Sequence, residues 1–162
     1  MRFTALAKRN LKEMYRDPFT VILSILMPAA FLLMIWVVPQ STGEEPLSAT
    51  SLVPGVAVFG FTMLFLFSST ALSRDRDSAL LSRLLTTPLK SSDFILAYSL
   101  PYVIIAIIQI AVLFAVAAPL KLEISGNIGI ALIPLLLMAI CFIGLGMFLG
   151  SLFNEKQNGG IA

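Results

Sequence analysis

Four stretches without a single charged residue dominate this chain: residues 19–38, 52–72, 94–118 and 128–153, of 20, 21, 25 and 26 residues. At about 1.5 Å of rise per residue, a helix of 20 residues covers the roughly 30 Å hydrocarbon core of a bilayer. Lipid offers a peptide group no hydrogen-bond partner, so each run is expected to be a helix. A membrane barrel would need apolar and polar residues to alternate, and these runs do not alternate. The two longer runs must tilt, bend or project from the core. The fold class that follows is all-α, a polytopic membrane helix bundle with four transmembrane helices.

Composition agrees. Only 12% of the residues are charged and the mean hydropathy is +0.95, whereas soluble domains carry roughly 25% charged residues. There is no histidine, and the one cysteine, Cys141, lies inside the fourth run. An internal disulfide and a Cys/His metal cluster are therefore excluded, and no metal site is expected. The cations set the orientation. Residues 1–18 hold five Lys or Arg, residues 39–51 none, and residues 73–93 four. Placing the N-terminus in the cytoplasm leaves Lys121 as the outer cation and the other ten inside, as the positive-inside rule requires. The basic stretch and first run are too long for a signal peptide, and no small-x-small site follows at Val38-Pro39-Gln40.

Residues 1–18 form the first expected unit, an amphipathic interfacial helix. On a helical wheel Phe3, Leu6, Ala7, Asn10, Leu11, Met14 and Tyr15 share one half, and Arg2, Lys8, Arg9, Lys12, Glu13 and Arg16 the other. Such a helix lies along the inner leaflet with its cations near anionic headgroups. Asp17-Pro18 ends it, because the residue before a proline is pushed out of the α region. Residues 19–162 then make the transmembrane domain, with the loop 73–93 on the cytoplasmic side.

That loop is richer than a connection requires. Leu80, Leu81, Leu84 and Leu85 make an apolar face, and Ser78, Ser82 and Thr86 a polar stripe. Asp75 and Asp77 are placed to open a short loop helix, where carboxylates favour the dipole, and Thr87-Pro88 closes it. The sequence RDRDSALLSRLLTTPLKSSDF, residues 74–94, resembles the first cytoplasmic loop of type-2 ABC exporter permeases, the integral-membrane subunits of ATP-driven exporters. Arg76-Asp77 stands for that family's Arg-Glu, Leu80 for its leucine, and residues 83–88 for its closing Thr/Ser-Pro. Ser78-Ala79 departs from the usual Gly-Thr, and Ser82 replaces a common glutamate. Two further stretches agree in order and position. ALAKRNLKEMYRDPFTVILSILMPAAF, residues 5–31, resembles the amphipathic helix and proline-containing first span, and GLGMFLGSLFNEKQ, residues 144–157, the end of the fourth span.

The resemblance implies that residues 77–86 are a coupling helix seated on a separate ATP-binding subunit, with Asp77, Leu80, Leu81, Arg83, Leu84 and Leu85 as the coupling residues. It implies a dimer of permeases and export across a bacterial or archaeal plasma membrane. It places ATP and magnesium in the partner subunit, so that this chain is not an enzyme and binds no cofactor; no nucleic acid is involved. The chain itself has no G-x-x-x-x-G-K-[ST], and its Gly144, Gly146 and Gly150 are followed by no lysine. Members of the family have six spans, so two more are expected in a continuation of the chain or in a second polypeptide. The alternative reading is a non-transporting membrane scaffold whose loop recruits a soluble partner.

Few polar groups interrupt the spans. Gln109 stands in the middle of the third, Tyr98, Ser99 and Tyr102 near its cytoplasmic end, and Ser68, Ser69 and Thr70 close the second. A glutamine facing lipid is costly, so Gln109 is expected to face a helix or cavity. Gln109, Tyr102 and Ser69 are the candidates for a substrate path. Each run holds one proline, at 28, 54, 101 and 134, and Gly146-x-x-x-Gly150 permits close helix packing, expected inside the bundle.

Overall fold

The computed structural model describes residues 2–42, 49–77, 91–120 and 128–153. These form five α-helices and no strand. α1 spans Arg2–Arg16, α2 Pro18–Thr42, α3 Ala49–Asp77, α4 Ser91–Ala117 and α5 Ile128–Leu152. A single 3₁₀ turn, Ala118–Leu120, ends α4. α2 to α5 are each long and apolar enough to cross a membrane, and each matches one uncharged run to within a few residues. The all-α membrane bundle is what the runs dictated.

The helices overshoot the runs where the backbone has no reason to stop. α3 continues through Arg74, Asp75, Arg76 and Asp77, four charged residues beyond the uncharged run. This corrects the reading of Asp75 as the opening of a loop helix: it lies in the last turn of α3. The physical reason is tertiary, because Asp75 is held by partners on α1 and α4. Asp77 is the last residue of α3. Residues 78–90, with Leu80, Leu81, Arg83, Leu84 and Leu85, lie outside the described residues.

α3 is the central helix, packed against α2, α4 and α5. Its Phe61 and Leu64 are fully buried with Leu32 of α2, Ile105 and Leu113 of α4 and Ile143 of α5. Phe31 of α2 stacks on Phe59 of α3 with ring centroids 4.9 Å apart. The α3–α5 seam is the most intimate, and glycine makes it so. A Cβ on Gly146 would overlap the Ser68 hydroxyl and the Phe65 carbonyl, and one on Gly150 the Ser69 carbonyl. The GxxxG therefore faces α3 from within the bundle. Gly144, two residues before it, has nothing within 4 Å of such an atom.

The opposite faces are apolar outward. Leu26 and Met34 of α2 are 57% and 63% exposed, and Ile133 and Phe148 of α5 59% and 60%. Rows of this kind are a liability in water and are suited to lipid chains. Hydroxyls on these helices bond backwards to their own backbone. Ser68 donates to the Phe65 carbonyl at 3.0 Å, Ser73 to Ser69 at 2.8 Å and Thr70 to Leu66 at 3.0 Å, which satisfies a polar group without water.

Candidate functional site

α1, the start of α2, the end of α3 and the start of α4 meet at one end of the bundle. α1 does not reserve its apolar side for lipid. Leu6, Ala7 and Asn10 are buried, and α1 packs chiefly on α4. The wheel needs two corrections in consequence. Tyr15, on the apolar half, is 87% exposed. Arg9, on the polar half, is turned inward toward Asp75 of α3.

The contact between α1 and α4 has a specific cause. Pro101 has no N–H, so the Ala97 carbonyl one turn earlier loses its helical donor. Asn10 supplies the replacement: its Nδ2 donates to the Ala97 oxygen at 3.1 Å, in a buried bond. A polar residue on the apolar face of α1 is thus matched to a proline-made gap in α4.

Beside this bond lies a charged network. Arg9 Nη2 pairs with Glu13 Oε1 at 2.6 Å and approaches Asp75 Oδ2 at 3.5 Å. The Tyr98 hydroxyl donates to the same Asp75 oxygen. Burial disfavours the charge on Arg9, but the hydrogen bond and charge of Glu13, then the charge of Asp75, outweigh it and raise its pKa above the ordinary value. One carboxylate on α3 therefore gathers a cation from α1 and a hydroxyl from α4. Next to it opens a cleft of about 340 Å³, lined among others by Asn10, Asp17, Thr20, Arg74, Tyr98 and Tyr102. Asp17 fixes its rim by capping α2, accepting from the Thr20 N–H at 3.3 Å and the Thr20 hydroxyl at 2.6 Å.

The three substrate-path candidates fall in three settings. Tyr102 lines the cleft and donates its hydroxyl to the Phe67 carbonyl at 3.1 Å. Ser69 is buried against Gly150 on the α3–α5 seam, away from the cleft-lining residues. Gln109 lies two turns beyond Tyr102 along α4 and is fully buried between Gly60 of α3 and Pro28 of α2. Tyr102 and Gln109 share the α4 face turned to α3, and Ser69 lies against Gly150 on the α3–α5 seam. The sequence did not single out Arg9, Asn10 or Asp75 as site residues. The available signal was Asn10 on an apolar helix face; its partner, a carbonyl on a distant helix, has no mark in the sequence. Among the described residues, no group of three or more His, Cys, Asp or Glu is placed to hold a metal ion.

Comparison with known proteins gives the frame for this arrangement. No curated protein and no solved structure matches the chain. The model of one protein family, described as ABC-2 type transporter, matches residues 1–161. That match runs from α1 through all four membrane-length helices, and the chain belongs to the ABC-2 type transporter family.

Proposed function

We propose that this chain is the permease of an ATP-driven exporter, moved by a separate ATP-binding subunit that docks on the loop between α3 and α4. The observation that carries the proposal is the family match along residues 1–161. The junction at the end of α3 gives it a mechanical form. Asp75 sits just before the loop, Tyr98 two turns into α4, and Arg9 on α1 joins them. A push on the loop would reach α1, α3 and α4 together, because one carboxylate holds all three. Closure of the nucleotide-bound partner then biases the bundle between two packings, as in other two-state transitions driven by a partner's ligand.

In this reading the N-terminus and the 78–90 loop are cytoplasmic and the membrane is a bacterial or archaeal plasma membrane. Asp77, Leu80, Leu81, Arg83, Leu84 and Leu85 form the coupling surface. Two copies of the permease work with two ATP-binding subunits, which hold the ATP and magnesium. Tyr102, at the cleft, and Gln109, deeper on the same face of α4, are the residues that substrate meets; Ser69 contributes through the α3–α5 seam.

The test is copurification. Leu84→Asp places a charge in an apolar contact while leaving the spans untouched, and should weaken capture of the ATP-binding subunit by roughly tenfold or more. The membrane level of the chain should stay unchanged. Capture at the wild-type level by Leu80→Asp/Leu84→Asp would show that the leucines face something else. A soluble partner without ATPase activity on the loop would favour a recruiting scaffold.

A further inference from the structure

Gln109 is fully buried at mid-bundle, yet neither its Nε2 nor its Oε1 has a hydrogen-bond partner among the described residues. Nearby groups explain why the amide cannot turn away. It fills the notch left by the missing side chain of Gly60. A Cβ there would overlap the amide nitrogen and lie 2.7 Å from Cγ of Pro28. Pro28 has no polar side-chain atom and Gly60 no side chain, so neither can satisfy the amide. Three helices therefore close on an amide that none of these neighbours satisfies.

A buried donor and acceptor without partners raise the free energy of the packing that encloses them. Other polar side chains of these spans, such as Ser68, Thr70 and Tyr102, bond to backbone carbonyls. Gln109 differs, and it lies on the α4 face that leads to the cleft through Tyr102. Parting of α2 from α3 and α4 would open that route and let water or a polar substrate group reach the amide.

The geometry points to Gln109 as an opening element: its amide, unsatisfied in the Gly60 notch, disfavours the closed packing of α2, α3 and α4, and is satisfied when they part. This deepens the exporter reading and rests on it. A transporter needs closed and open packings near balance, and an apolar residue here would leave the closed one too deep. The device is local to three residues, Gln109, Gly60 and Pro28, on three helices.

The experiment measures opening without transport. A reporter cysteine at Ala106→Cys, buried one turn before Gln109, is placed in a Cys141→Ser background of the full chain in lipid nanodiscs. Its labelling rate by a charged maleimide reports access to the closed seam. Gln109→Met keeps the length and removes the amide, and should slow labelling by about tenfold, the scale of one unsatisfied buried amide. Gln109→Leu should act in the same direction. Gly60→Ala fills the notch, forces the amide out and should speed labelling severalfold. Equal or faster labelling in both Gln109 variants would overturn the proposal. The assay uses neither nucleotide nor an ATP-binding subunit. A loop that captures no ATPase would thus sink the exporter reading alone, and an unchanged labelling rate the opening element alone.

Discussion

Asn10 shows how much one side chain can decide. Pro101 strips the Ala97 carbonyl of its helical donor, and Asn10 restores it from another helix at 3.1 Å. Asn10→Leu should therefore cost about 1–3 kcal/mol, because it leaves a buried carbonyl unpaired. The diagnostic variant is the double one. Pro101→Ala in the Asn10→Leu background returns an N–H to α4, so the thermal midpoint should recover most of the loss. Additive losses in the two variants would mean that the Asn10 bond is not what the proline makes necessary. The Arg9–Glu13 pair beside it is a different case: Glu13 is 55% exposed, so that pair contributes only about 0–1 kcal/mol.

Between elements, the α3–α5 seam carries the sharpest expectation. A side chain at Gly146 or Gly150 would meet the backbone of α3, which cannot rotate aside as a side chain can. Gly146→Leu and Gly150→Leu should each separate the helices and destabilise the bundle by about 2 kcal/mol or more. Gly144→Leu is the control. Nothing lies within 4 Å of its Cβ position, and leucine there meets lipid, so its melting and size-exclusion profile should match the parent. Equal damage from all three would place the seam on another face of α5. α1 is the second element that the packing places: with Leu6 and Ala7 buried, it is a part of the bundle.

At the scale of the molecule the chain is a multi-pass membrane protein, the membrane component of a transporter by family. α1, the end of α3 and the start of α4 share one end of the bundle. Sidedness follows from charge. Ten of the eleven cations fall in residues 1–18, 73–93 and 154–162, so the α1 end should face the cytoplasm. In intact cells carrying Cys141→Ser, an impermeant thiol reagent should label Glu45→Cys and spare Ser82→Cys; the opposite pattern would invert the topology.

The sequence by itself determined the number, length and helical state of the membrane-crossing elements. Charge-free runs of 20 or more residues leave the backbone one way to satisfy itself in lipid, and such a pattern is local. It also marked the apolar–polar division of α1 and the loop whose resemblance pointed to the family. What it left open were the contacts between elements. An uncharged helix is apolar all round, so its periodicity cannot say which side meets lipid and which meets protein. Tertiary structure alone decided that the Gly146 and Gly150 face meets α3, that Arg9 turns in to Asp75 while Tyr15 turns out, and that Asn10 answers Pro101. It alone placed Gln109 in the Gly60 notch. Each of these depends on atoms brought together from residues far apart in the chain, where close approach, burial and a missing N–H act jointly and no single stretch of sequence carries the pattern.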